Sequence, residues 1–221
     1  DMPERVGQLH KKLRAWRDEV DAKMPAVNPN AGKRNSRPQG KRAASIKPTK
    51  SFAGFAELNQ VEMTECDLGY ELFSNTSAYA LKQCDTPLTR ASFKLTIRPR
   101  LLGPNNGFFA FGDLADDTTL VKCGILVGGN YATIYEGTYP SADQAKMQLV
   151  LEPGKPYDLL ISVDLKRQTV EMTIGDRKLS KKLTRNIDEI RFYGYEVIWT
   201  RTEFGPIEIT DSVLVTSAEG N

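Results

Sequence analysis

The clearest signal in the chain is an alternation of apolar and polar residues with a period of two. Phe93, Leu95 and Ile97 alternate with Lys94, Thr96 and Arg98. That period puts successive side chains on opposite faces of an extended strand, so each such row predicts a strand with one buried face. Met147, Leu149 and Leu151 form a second row, ended by Pro153-Gly154. Tyr157, Leu159, Ile161, Val163 and Leu165 form the longest row; the turn Lys166-Arg167-Gln168 leads from it into Val170, Met172 and Ile174. After the turn Gly175-Asp176 a further strand runs to Leu183. Ile190 and Phe192 extend the core, and Ile207, Ile209, Val213 and Val215 close it. No segment here keeps helical periodicity beyond two turns, which excludes a βαβ arrangement. The prediction is an all-β fold over residues 58–217, an antiparallel two-sheet sandwich around one core.

The first 25 residues carry a different period. Val6, Leu9, Leu13, Trp16 and Val20 fall at three-and-four spacing, one stripe of an α-helix that ends before Pro25. Asp1 and Glu4 have capping-box spacing, and Pro3 is tolerated in a first turn. The stripe needs a surface to pack on. Residues 26–57 then form a linker, its first part rich in Asn, Pro, Gly and Ser. Lys33, Arg34, Arg37, Lys41, Arg42, Lys47 and Lys50 lie in it with no acidic residue up to Lys50.

Charge has to be read with that linker set apart. The net charge of +2 conceals seven cations in the linker, and the rest of the chain has 23 basic against 28 acidic residues. The linker could hold a polyanion such as a sulfated glycan, or serve only as a soluble spacer. It has no interleaved aromatic residues, which argues against a nucleic-acid platform. With 221 residues, 40% hydrophobic and 26% charged, the chain has room for one full domain plus an appendage. No run of about 20 apolar residues suggests a membrane-spanning helix. The opening Asp1-Met2-Pro3 has no signal-peptide character and reads as a point inside a longer protein. Three cysteines do not make a disulfide framework. Cys123 sits in an apolar run as a buried thiol, and the pairing of Cys66 with Cys84 is left open.

Two stretches resemble known families. The run Leu151-Glu152-Pro153-Gly154-Lys155-Pro156-Tyr157-Asp158-Leu159-Leu160-Ile161-Ser162-Val163-Asp164, continued by Gln168 to Gly175, resembles the middle hairpins of concanavalin A-like and laminin-G-like domains. Ile187 to Gly194 and Phe204 to Ile209 are similar to their closing strands. The resemblance implies a jelly roll. Leu9 to Val20, with Met24-Pro25 and Asn28-Pro29-Asn30, is similar to the C-terminal tail of bacterial arylsulfatase-like enzymes. That resemblance implies an upstream catalytic domain in the same chain and an extracytoplasmic location, periplasmic or secreted.

No sulfatase chemistry is present in the chain itself. Such enzymes need Cys-x-Pro-x-Arg, whereas Cys84-Asp85-Thr86-Pro87-Leu88 has Pro one place late and no Arg. His10 lies on the charged face of the predicted helix. Glu65, Asp67 and Glu71 approach the paired-carboxylate pattern of concanavalin-like glycoside hydrolases, but the last spacing is too long. Asp113, Asp116 and Asp117, with Asn105 and Asn106, offer the oxygen donors calcium prefers, and calcium at a loop rim is what the laminin-G resemblance implies. The preference of turns for Asp and Asn explains the same residues more simply. The constellation with most promise is aromatic. If Ala132 and Ile134 point inward, Tyr131 and Tyr135 point outward; if Ile190 and Phe192 point inward, so do Arg191, Tyr193 and Tyr195 point outward, with Trp199 and Arg201 just beyond. Exposed rings stack on sugars, and arginines bond hydroxyl or sulfate groups.

Two functions from different classes follow. One is a non-catalytic carbohydrate-binding accessory domain at the C-terminus of a polysaccharide-acting sulfatase, with calcium as its one candidate cofactor. The other is a structural or protein-interaction sandwich packed on its parent enzyme through the helix stripe. A glycoside hydrolase is a third and weaker reading.

Overall fold

The structure, a computed structural model, describes residues 54–100 and 106–214, together with Gly7 and Lys12, which are both helical. The stripe Val6, Leu9, Leu13, Trp16 and Val20 and the basic linker lie outside the described residues.

Twelve strands make up the described part: β1 (Glu57–Asn59), β2 (Glu62–Glu65), β3 (Tyr70–Pro99), β4 (Asn106–Gly112), β5 (Val121–Leu126), β6 (Tyr131–Glu136), β7 (Gln144–Gln148), β8 (Tyr157–Asp164), β9 (Thr169–Ile174), β10 (Arg177–Lys182), β11 (Ile190–Phe204) and β12 (Glu208–Leu214). Their hydrogen-bonded order is β10-β9-β8-β3-β11-β4-β5-β6-β7, with β1, β2 and β12 also on β3. The long strand β3 serves both layers, as strands that switch sheets do at the corners of sandwiches. Its first half pairs with β11, the partner falling from Lys82 to Tyr70 as β11 rises from Tyr193 to Phe204, an antiparallel register. Its second half, Arg90 to Ile97, pairs with β8 on one side and with β12 on the other. The first layer is therefore β1 and β2, β3, β11, β4, β5, β6, β7. The second is β12, β3, β8, β9, β10.

The core lies between the layers. Phe93, Leu95 and Ile97 of β3, Leu159, Ile161 and Val163 of β8, and Val170, Met172 and Ile174 of β9 are all buried in it. They meet Phe109, Phe111, Cys123, Ile125, Ala132 and Ile134 of the other layer. The Phe93 and Phe109 ring centroids stand 4.7 Å apart, which pins one layer to the other. The alternation of Tyr157 to Leu165 and Val170 to Ile174 runs through an unbroken register between β8 and β9, so every apolar row there reaches the core as the period predicts.

Two expectations fail on geometry, and one open question is settled. In β11 the register against β3 slips between Ile190, opposite Leu88, and Phe192, opposite Gln83. The slip reverses the parity, so Tyr193 and Tyr195 turn inward and Phe192 packs on the outer cluster of Tyr79, Leu81, Ala110 and Leu120. β12 is exposed along its whole length, so Ile209 and Val213 do not close the core. All three cysteines are free. Cys66 precedes β3 and Cys84 lies fifteen residues along it, a span on the order of 40 Å at strand rise, well beyond disulfide reach. Burial beside Asp85 pushes the Cys84 thiol up to about 11.

Candidate functional site

The outward face of the first layer collects most of the residues singled out from the sequence. Tyr131 and Tyr135 do point outward from β6, as the inward turn of Ala132 and Ile134 requires. Tyr135 is nevertheless fully buried there, edge-on to Phe108 at 5.5 Å and beside Tyr139 at 5.8 Å, so its ring offers no stacking surface. Tyr195 is 1% exposed, stacked on Phe204 at 4.7 Å, and its hydroxyl donates to the Gly205 carbonyl at 2.7 Å. Tyr193 is partly buried against Phe93 at 5.5 Å. These three tyrosines drop out of the expected platform. Arg191 remains exposed, paired with Glu189.

Tyr131, Trp199 and Arg201 are accessible. Tyr131 is half-buried, with Lys146 Nζ 4.7 Å over its ring and its hydroxyl 3.4 Å from that of Tyr139. Burial and the Tyr139 hydroxyl push the Tyr131 phenol up to about 12. Trp199 is 54% exposed and has a left-handed backbone, φ 51°. It sits at a second register break, where β11 passes from Ile198 opposite Ser77 to Thr200 opposite Ser74. A bulky residue at positive φ is strained, and such strain persists only where the surroundings impose it. By register Tyr131 faces Leu126, which faces Asn106, and Asn106 continues to the Ile198 row. Tyr131 thus stands three strand spacings, about 14 Å, from the Ile198 row, next to which Trp199 is exposed.

Beyond Trp199 the face is charged. Arg201 covers the Phe73 ring at 5.0 Å and pairs with Glu71 at 3.2 Å. Arg100 bridges Glu71 at 3.6 Å and Glu203 at 2.8 Å, and Arg98 joins Glu203 to Asp67, the latter at 2.5 Å. Sequence reading did not find Glu203 or the arginines that hold it. The thiol of Cys66 and the carboxylates of Asp67 and Glu203 lie within 4.8 Å of one another, but Arg98 already supplies the cation between the two acids. Its hydrogen bond holds the Asp67 carboxyl below its ordinary range. A glycosidase acid needs the opposite shift, so Asp67 does not fit that role.

The three aspartates considered for calcium face different partners. Asp113 pairs with Arg185 at 2.8 Å. Asp116 Oδ1 accepts from the Thr118 amide at 2.8 Å and hydroxyl at 2.7 Å, an Asx turn, and these bonds hold its carboxyl low. Asp117 turns inward to Lys122. The donor set does not converge as calcium requires. Adding millimolar calcium, or removing it with a chelator, is expected to leave the melting temperature unchanged; a calcium-dependent rise would restore the site.

A separate groove of about 240 Å³ opens on the second layer, lined by Arg90, Ser92, Ser162, Asp164, Arg167 and Glu171. It contains no aromatic ring, and its arginines are paired, Arg90 with Asp211 and Arg167 with Asp164.

No protein-family model matches the sequence, and no curated protein matches it. Among solved structures, the carbohydrate binding module CBM66 from Bacillus subtilis superposes with a TM-score of 0.60 at 11% identity, covering 70% of this chain and 93% of that module. Peanut lectin superposes at 0.50 with 10% identity, over 78% of this chain and 97% of the lectin. The fold is a lectin-type jelly roll. At such identities the likeness carries the architecture alone.

Proposed function

We propose that the jelly roll is a non-catalytic carbohydrate-binding domain whose contact surface is the outward end of the first layer around Trp199, with Tyr131 and Arg201. The observation that carries this reading is Trp199 itself, an exposed indole held at positive φ where burial does not demand it. An aromatic face next to fixed guanidinium and carboxylate groups can stack on a pyranose or furanose ring and bond its hydroxyls. The fold supports the reading, because a module with this architecture is a carbohydrate binding module by name.

Glycan-array and affinity-electrophoresis measurements test it. Trp199→Ala is expected to weaken binding about tenfold or more, as loss of a stacking contact of about 1–2 kcal/mol implies, while the melting temperature stays within a degree or two. Binding that survives Trp199→Ala undiminished would move the site elsewhere.

The finer context is part of the same proposal. The domain would follow a polysaccharide-acting, exported sulfatase, as the residues from Leu9 to Asn30 suggest. A Cys-x-Pro-x-Arg motif upstream of Asp1 in the parent gene would support this, and an unrelated upstream domain would dispose of it. No helix among the described residues is long and apolar enough to cross a membrane.

A further inference from the structure

Across the same outward face, toward its other end, lies a buried polar cluster that sugar binding does not use. Lys122, on β5, is wholly buried. Its Nζ lies 2.5 Å from Asp117 Oδ1, 2.8 Å from the Asp117 carbonyl, 2.7 Å from the Gly137 carbonyl and 3.4 Å from Glu196 Oε1. Glu196, on β11, is also wholly buried. Ser77 Oγ bridges the two acids, 3.1 Å from Asp117 Oδ1 and 3.3 Å from Glu196 Oε1. Glu196 Oε2 has no hydrogen-bond partner, nor has the hydroxyl of Tyr135, whose ring flanks Lys122 Nζ at 5.6 Å. A buried amine, a buried carboxyl group and the partly exposed carboxyl of Asp117 are therefore gathered together, with a buried carboxyl oxygen left over. An ion pair alone accounts for neither the second acid nor the unpaired oxygen, since buried polar groups are ordinarily satisfied.

We propose that Lys122 and Asp117 become joined by an intramolecular amide bond, formed after folding with Glu196 as the catalytic acid. The ammonium of Lys122 first gives a proton to the Asp117 carboxylate at 2.5 Å, leaving a neutral amine against a neutral acid. The Nζ lone pair then attacks Asp117 Cγ. Glu196 accepts the second proton from nitrogen at one oxygen and delivers its own proton from the other to the departing hydroxyl. The C–O bond breaks with its electron pair and one water leaves. One N–C bond has formed, one C–O bond has broken, Glu196 ends protonated as it began, and no oxidant or cofactor is consumed. The fixed contact of the two reactants supplies the proximity such a condensation needs, and the burial of Lys122 and Glu196 keeps water from the amine. The product ties Asp117, in the loop from Asp113 to Leu120, to the start of β5, and replaces an ion pair by a neutral amide.

Intact-mass spectrometry of the purified full chain tests this without any mutation. The expected mass is lower than the sequence mass by one water, and peptide mapping places the loss in a Lys122–Asp117 cross-link, with no tryptic cleavage after Lys122. Asp117→Ala and Glu196→Gln are expected to restore the full mass, circular dichroism confirming that each still folds. A folded wild-type chain at full mass overturns the proposal, as does a water loss that maps elsewhere, such as a succinimide at another aspartate. A cross-link that persists in Glu196→Gln removes Glu196 from the chemistry. The result does not depend on whether the domain binds sugar.

Discussion

Gly194→Ala is expected to unfold or severely destabilise the jelly roll, by about 3 kcal/mol or more in urea or thermal denaturation. A β-carbon at this position would stand 2.0 Å from the Ala80 carbonyl oxygen and 2.9 Å from the Leu81 α-carbon. Both are backbone atoms of β3, so no side chain can swing aside to make room. Gly194 sits mid-strand, opposite Leu81 on one side and Ala110 on the other, and a shift there would disturb two ladders at once. The close approach follows the register slip after Ile190, the same irregularity that sends Tyr195 inward and Glu196 outward. Gly128→Ala serves as the control, since a β-carbon there meets nothing within 4 Å, and its effect should stay within about 0.5 kcal/mol. Equal stability of the two variants would show that β3 and β11 do not pack as closely as described.

That irregularity also marks the boundary of what the sequence makes legible. The rows Phe93 to Ile97, Tyr157 to Leu165 and Val170 to Ile174 lie on strands in continuous register, so a period of two carries each residue to its predicted face. On β11 the same rule fails twice, near Arg191 and at Trp199, because a slip against a partner strand leaves no trace in the strand's own composition. Tyr193 and Tyr195 were expected outward for that reason alone. Tyr135 shows a different limit. Its direction was legible, but its burial was not, because Phe108, Leu126 and Ile198 come from three other strands. β12 alternates like a core strand, yet it is exposed along its whole length at the margin of the second layer. The buried acid and amine did leave a signal that periodicity reading passed over. Lys122 interrupts the otherwise apolar run Val121-Lys122-Cys123-Gly124-Ile125, and Glu196 stands between Tyr195 and Val197-Ile198. A lone charge inside an apolar strand segment demands a buried partner, and here each answers the other.

The stability of the domain is expected to fall as pH rises from about 4.5 to about 8, and Glu196→Gln is expected to abolish that fall. Burial is the main cause that pushes the Glu196 carboxyl from its ordinary 4.5 up to about 8, with Asp117 adding to the shift and Lys122 opposing it. Below the unfolded value both states hold the proton and Glu196 contributes its full stability. Between the two values the unfolded chain releases the proton while the folded chain keeps it, so each step up in pH favours unfolding. Above the folded value the contribution is gone. At 1.36 kcal/mol per unit the loss is on the order of a few kcal/mol. Carboxyls held low, Asp116 through Thr118 and Glu136 through the Thr184 and Arg185 amides and Lys181, act with the opposite sign, and their contribution is lost only as pH falls through the acid range. The pH slope of the difference between wild type and Glu196→Gln in urea midpoints, measured across pH 4 to 9, reports this carboxyl, whereas a cross-link present in the wild type alone adds an offset that does not vary with pH. An amide between Lys122 and Asp117 would remove both the charge that opposes the shift and the one that reinforces it, leaving burial to set its direction. A wild-type profile that rises through this window relative to the variant would mean that Glu196 is ionised in the fold, and with it the acid that the Lys122–Asp117 condensation requires would be lost.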